Sequence, residues 1–354
     1  MIDEAVISDG PGETRLALLD AGQTVEFIID RGEAAAGDVF EGRVLEVSSA
    51  FGAAFIDIGE ALPGYLPKPK ETSVGETLAV TIVSGARRGK GAELKRAPTG
   101  ARPVRRGALG RALVSYPGIA RVVVDQAASL GPARGLFRGA VHQAGCFEES
   151  GAAEALEAAL ARRVVLPGGA ALIFAETEAA TVIDIDGAGL TPADANAAAL
   201  GEIPRQLRLR GIGGHVLVDF IPSRDRNAVT KLVAAMRAAI NDDPAPTQVA
   251  GHTPLGMIEL TRRRHGPSLA EIMLGPLAAE RSPATIALEG LRALLRETMS
   301  RPGARLALAV APRVARAIAA RPSVFDAAGK SLGRAVVVIE RSDIEMFAIE
   351  EVAR

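Results

Sequence analysis

Three aspartates carry the chemistry that this sequence is equipped to do. Asp184 and Asp186 lie in the run Thr181-Val182-Ile183-Asp184-Ile185-Asp186-Gly187, and Asp219 lies late in a second run, His215-Val216-Leu217-Val218-Asp219-Phe220. Runs so rich in β-branched and apolar residues read as buried strands, which do not carry carboxylates without a partner. Two positions apart on a strand, Asp184 and Asp186 point to one face. Carboxylates gathered at strand ends repel one another and invite a hard cation, Mg²⁺ or Mn²⁺. The plain alternative is a turn at Asp186-Gly187 and a loop-edge acid at Asp219.

The elements that must hold these residues belong to a globular chain. Its 354 residues give room for about two or three domains, and 48% hydrophobic with 23% charged residues is the balance of a soluble protein. The net charge of −1 supplies no global attraction for nucleic acid, so any such attraction must be local. The single cysteine, Cys146, rules out an internal disulfide framework and any multi-cysteine zinc site, and reads as a buried thiol. The N-terminal residues have no signal-peptide character and no run is long enough to span a bilayer, so a cytoplasmic protein is expected.

Taken in order, residues 1–36 read as strands at Ala5–Ile7, Arg15–Leu19 and Val25–Ile29, with a turn at Asp20-Ala21-Gly22. Between residues 37 and 97 short strands follow closely: Val39–Val47, Ala53–Ile58, Gly64–Leu66 and Leu78–Val83. About sixty residues of such strands suggest a small closed barrel of the OB type. Phe40, Phe51, Phe55 and Tyr65 fall here, interleaved with Arg43, Lys68, Lys70, Arg87, Arg88, Lys90 and Lys95. Aromatic platforms in a basic groove hold single strands; the other use of such rings is to fill the barrel, which is the expectation for Phe40 and Phe51. Residues 98–111 read as a Pro-, Gly- and Arg-rich linker, and 112–144 as one helix-strand-helix unit. Beyond it, strands alternate with helices, the pattern of a layered α/β domain. Thr191-Pro192 starts a helix running to Arg210, with Pro204 expected to kink or interrupt it. A helix over Asp225–Ile240 and a strand over Gly256–Thr261 follow.

Several of these stretches resemble one family. GDVFEGRVLEVSSAFGAAFIDIGEALPGYLPKPK looks like the S-one-type RNA-binding barrel that opens bacterial ribonucleases of the E/G family, and GETRLALLDAGQTVEFIIDRG is similar to its N-terminal strands. TVIDIDGAG resembles the family's T-x-I-D-I-N-S-A element, RQLRLRGIGGHVLVDFI its helix, glycine turn and second aspartate strand, and LGMIELTRRRHGPSL its F-G-L-L-E-M-S-R-Q-R-x-x-P-S-L. Nothing between residue 95 and the 112–144 unit matches the family's 5′-phosphate-sensing subdomain, and LAEIMLGPLAAERSP stands, without cysteine, where the family has a C-P-x-C zinc-link.

The resemblance implies an α/β, multi-subdomain fold: N-terminal strands (1–36), an OB-fold RNA-binding barrel (37–97), a linker with a truncated RNase H-like piece (98–165), a DNase I-like catalytic domain (166–275) and a small C-terminal α/β domain (284–354). It implies catalytic roles for Asp184, Asp186 and Asp219, with Asp184 and Asp219 as ligands of Mg²⁺ (or Mn²⁺) and no structural zinc. Phe55, Tyr65, Arg88, Lys90, Arg205, Arg208, Arg262 and Arg264 are candidate RNA contacts, although a salt bridge is the commoner use of any one such arginine. Asp186 occupies the family's asparagine position. Ionised, it donates no hydrogen bond to a phosphate; it joins the metal shell, has its pKa raised by its neighbours, or weakens catalysis. The expected function is Mg²⁺-dependent hydrolysis of single-stranded RNA in processing or decay, without 5′-monophosphate sensing, by a monomer or weak homodimer. The alternative is an RNA-binding protein on the same scaffold with weak or lost catalysis.

Overall fold

The computed structural model of the chain describes residues 2–87, 89–223, 227–274 and 281–352. The fold opens with β1 (Glu4–Gly10), β2 (Glu13–Asp20) and β3 (Gln23–Asp30), neighbours in one sheet. Next come β4 (Val39–Ser48), β5 (Ala53–Asp57), β6 (Gly64–Pro67), β7 (Thr77–Ser84) and β8 (Glu93–Arg96), which close into a barrel in the order β4-β5-β6-β8-β7. This is an OB-like arrangement, with β6 and β8 parallel and the other pairings antiparallel. Its interior is aliphatic: Val44, Ala54, Ile56, Leu66, Val80, Ile82 and Leu94 are all buried. The barrel closes tightly beside β8, where a Cβ on Gly91 would lie 1.8 Å from the Pro63 carbonyl oxygen. Only glycine allows that approach of two backbones.

The chain then forms α1 (Gly107–Ser115), β9 (Arg121–Val124), α2 (Leu130–Leu136), β10 (Val141–His142), α3 (Cys146–Glu149) and α4 (Ala152–Leu160). β9 adds to β1 in parallel and β10 adds to β9, so residues from 1–36 and from 98–165 share one five-stranded sheet, β10-β9-β1-β2-β3. Cys146 is buried there, as expected of a packing thiol, and burial first, then the charge of Asp125, pushes its pKa up to about 12.

The largest sheet holds β11 (Arg163–Val165), β12 (Ala171–Glu176), β13 (Ala180–Asp186), β14 (Gly214–Asp219), β15 (Thr247–His252) and β16 (Ile258–Arg262), in the order β11-β12-β13-β14-β16-β15. Helix α5 (Pro192–Leu209) connects the parallel pair β13–β14, and α6 (Ala228–Ala239) lies between β14 and β15. Alternate strand residues face a common core with these helices: Leu172, Phe174, Ile183, Ile185, Val216, Val218, Ile258 and Leu260 against Ala195, Ala199, Ile203, Leu207 and Met236. Thr191 caps α5, accepting from the Asp194 backbone N–H, with Pro192 at the first turn. Of the kink or interruption expected at Pro204, no interruption occurs: α5 runs on through it. Its face of Ala195, Ala199, Ile203 and Leu207 is fully buried, and that packing outweighs one missing hydrogen bond.

The chain divides into two compact units, residues 1–7, 16–28 and 33–269 in one and residues 8–15, 29–32 and 270–354 in the other. The second contains most of α7 (Leu269–Met273), with α8 (Pro283–Ser300), β17 (Leu306–Val310), α9 (Pro312–Ala319), α10 (Pro322–Leu332), β18 (Val338–Glu340) and β19 (Phe347–Glu351), the strands ordered β18-β17-β19. Within this unit Glu13 is buried among arginines. Arg15 Nε donates to its Oε1 at 2.6 Å, Arg31 Nη2 lies 2.7 Å from its Oε2, and Arg292 Nη2 donates to its backbone carbonyl at 2.7 Å. Among the described residues no helix is long and apolar enough to cross a membrane.

Candidate functional site

The pleat of the six-stranded sheet decides where the aspartates point. In β13, Ile183 and Ile185 turn into the core, so Asp184 and Asp186 turn to the opposite face. In β14, Val216 and Val218 are buried, and Asp219 shares the face of Asp184. The parallel register pairs Asp184 directly with Asp219 at the ends of adjacent strands. Neighbouring strands are spaced about 4.8 Å, so the two side chains rise next to each other. The end of β14 is fixed by Asn196 of α5, which is buried. Its Nδ2 donates to the Ile221 carbonyl at 2.9 Å and its Oδ1 accepts from the Ile221 N–H at 3.0 Å. That clamp sits two residues after Asp219.

Asp186 is on the same face but has a different partner. Its Oδ2 accepts from Arg163 Nη2 at 2.8 Å and its Oδ1 from the Ala188 N–H at 3.1 Å. The Arg163 bond first, and then the Ala188 N–H, hold its carboxyl below the usual aspartate range. Of the three alternatives open for Asp186, this contradicts the one in which neighbours raise its pKa; a guanidinium, not a second acid, is its nearest partner.

Among the described residues no three or more His, Cys, Asp or Glu side chains gather as a metal-binding group. The donor set is the Asp184/Asp219 pair. Mg²⁺ is commonly held by one or two carboxylates while retaining several waters, so two adjacent, solvent-facing carboxylates fit such an ion. A soft or tetrahedral metal would need nitrogen or sulfur donors that this pair does not supply. His215 shares the face but lies four residues from Asp219 along β14, about 13 Å at strand rise. Burial first, then Arg262 and Arg263, lowers the pKa of His265, which follows β16.

Most of the basic residues expected at a nucleic acid have internal partners. Arg262, a candidate RNA contact, takes the salt-bridge alternative instead: its guanidinium is buried, bonded to Asp243 through Nε (2.7 Å) and Nη2 (2.9 Å), and donates from Nη1 to the Ile212 carbonyl (2.8 Å). Arg205 donates to the Thr24 carbonyl and pairs with Glu202, and Arg208 lies 3.5 Å from Glu26. Arg264 is half-buried with its guanidinium across Gly214, at φ +88°, where an added Cβ would sit 2.2 Å from Nη2. Lys90 is exposed in a tight turn whose backbone bonds to Arg87. Arg88 lies outside the described residues.

On the barrel, Phe55 and Tyr65 are register partners on β5 and β6, half-buried, with ring centroids 6.1 Å apart. Phe51 continues the row, edge to face with Phe55 at 6.1 Å and 69% exposed. The barrel-filling expectation for Phe51 is therefore overturned, whereas Phe40 does pack against the barrel core, beneath the Arg105 guanidinium. Phe51 was recognisable as an outer ring from its place in Ser49-Ala50-Phe51-Gly52: Gly52 takes φ +58°, and a turn residue has no interior to fill.

Residues 125–265, which include all three aspartates, match the family model described as the Ribonuclease E/G family. Over these residues the chain is similar to the Ribonuclease E/G family. Ribonuclease E of Nostoc sp. is 39% identical over 126 residues, which is 33% of this chain and 18% of that protein. Ribonuclease E of Escherichia coli K12 is 38% identical over 127 residues (33% and 12%), and Ribonuclease G of Salmonella typhimurium 32% over 126 residues (33% and 26%). The alignments thus span about a quarter or less of these relatives' own length. The barrel lies outside the Ribonuclease E/G match, which holds β12, β13, β14, β15, β16 and the helices between them.

Proposed function

We propose that the chain is an endoribonuclease that hydrolyses phosphodiesters of single-stranded RNA at the Asp184/Asp219 row, with a DNase I-like catalytic region behind an S-one-type barrel. The observation that carries this reading is the register of Asp184 against Asp219, side by side on an exposed sheet face, within a Ribonuclease E/G segment. Asp184 and Asp219 would hold Mg²⁺, or Mn²⁺ in its place. When bound, such an ion screens the phosphate charge and supplies an acidified water as nucleophile. The protein's own part is placement. Buried neighbours on both strands and the Asn196 clamp fix the two carboxylates, and the Phe51-Phe55-Tyr65 row offers π-faces for bases of an unpaired strand. The test is cleavage of a single-stranded AU-rich oligonucleotide with Mg²⁺ by the wild type, Asp184→Asn and Asp219→Asn. Loss of cutting in both variants is expected. Equal cutting by all three would overturn the reading. Binding without cutting by all three favours the second reading, an RNA-binding protein, which the pairing of Asp186 with Arg163 in place of a further acid at the row supports.

A further inference from the structure

Arg163 has no part in the chemistry described so far, yet its position is unusual for a surface arginine. The six strands of the large sheet carry two arginines and no lysine, Arg163 on β11 and Arg262 on β16. Arg262 turns into the fold and is buried against Asp243. Arg163 turns to the carboxylate face. Its register partner on β12 is Ile173, whose partner on β13 is Asp184, whose partner on β14 is Asp219. One row across the sheet therefore reads Arg163, Ile173, Asp184, Asp219. The Arg163 side chain also crosses β12 to reach Asp186 on β13, a span of two strand spacings or about 10 Å. The guanidinium is thus delivered to the strand that bears Asp184.

That pair contributes little to stability. Its side chains are 47% and 42% exposed, and solvent screens ion pairs so placed. What it does supply is position, because Asp186 holds one terminal nitrogen and so restrains a long, rotamer-rich side chain. A phosphodiester approaching Asp184 and Asp219 meets two negative charges, and a planar guanidinium presents several donors suited to phosphate oxygens. We propose that Arg163 is a phosphate-contacting residue of this site and that Asp186 is its positioning residue. The inference rests on the endoribonuclease reading for the reaction, but not for the contact. Asp186 then acts through Arg163 and not on the substrate.

The test uses the full chain, Arg163→Ala, Arg163→Lys, Asp186→Ala and the double variant Arg163→Ala/Asp186→Ala. Binding of a fluorescent single-stranded oligonucleotide is titrated against KCl in EDTA, and cleavage is followed with Mg²⁺. Removing one phosphate contact should reduce the slope of log K against log salt by about 0.7 in Arg163→Ala. It should cut the cleavage rate about 100-fold or more, as loss of a donor to developing charge does. Arg163→Lys, a point charge without the fork, should recover part of both. Asp186→Ala should lower the rate, and the double variant should be no slower than Arg163→Ala. An unchanged salt slope in Arg163→Ala overturns the phosphate contact. Strict additivity of the two rate losses, or a faster Asp186→Ala enzyme, overturns the positioning role. If the wild type cuts nothing, the endoribonuclease reading falls while the salt slope still decides the contact.

Discussion

Asn196 shows how much of a site rests on a residue that touches no substrate. It is buried and spends its amide on the N–H and the carbonyl of Ile221, so Asn196→Ala leaves a part-buried N–H and a part-buried carbonyl without that partner. The expected cost is about 1–3 kcal/mol in urea unfolding, with a further loss of cleavage because Asp219 stands two residues away. Asn196→Asp removes the donor and keeps the acceptor, and should restore neither in full. At this scale the sequence is informative where a pleat alone decides. Two acids two apart on an apolar strand must share a face, and the structure places Asp184 and Asp186 so. The Asp186 partner was not legible: Arg163 comes from an edge strand whose register depends on β12, and nothing local encodes that distance. The partner of Arg262 was not legible for a related reason, since Asp243 lies 19 residues away.

Among the elements, the barrel was the most legible, because its short strands alternate and its turns carry glycine. The observed strands at 39–48, 53–57, 64–67 and 77–84 fall on the runs read from the sequence. β15 was missed: Thr247–His252 holds a single buried apolar residue, Val249, and a bulge before Gly251 breaks its alternation. Helix α5 is not interrupted at Pro204, where local propensity takes no account of a fully buried face. The aromatic row gives a prediction that belongs to the barrel as a unit. Phe51→Ala should weaken single-strand binding by about 1–3 kcal/mol, the worth of one stacked base, and leave the melting temperature nearly unchanged because the ring is exposed. Fluorescence anisotropy with a short RNA checks the first and a thermal melt the second. An unaltered Kd would remove Phe51 from the platform.

On the scale of the molecule, the connection between the barrel and the next helix bears on substrate choice. Residues 97–106 lead from β8 to α1, too short a stretch for a further subdomain. Cleavage is therefore expected to be indifferent to the 5′ end. Matched oligonucleotides with 5′-hydroxyl and 5′-monophosphate termini test this, and a large monophosphate advantage contradicts it. The second unit carries a pH prediction. Burial raises the pKa of Glu13, but Arg15, Arg31 and Arg292 outweigh it and hold the carboxyl below the ordinary glutamate value. A depressed folded pKa means that Glu13 stabilises the unit fully above its unfolded value of about 4.3. That contribution is lost as the pH falls through the folded value. Denaturant titrations should show stability dropping in that window for the wild type, and less so for Glu13→Gln, which starts about 3–5 kcal/mol lower by leaving buried arginines uncompensated.

The same cluster also has a consequence in time. Glu13 and Arg15 leave a ribosome well before Arg292, which completes their surroundings and follows more than 270 positions later. At synthesis rates of about 5–20 residues per second, the wait lasts on the order of 15–50 seconds. Through that interval the tip of β1 and β2 holds an unfinished charge cluster that only water, or a chaperone, is at hand to satisfy. The second unit therefore cannot fold in order of emergence, and its assembly waits until the residues from 270 onward have been made.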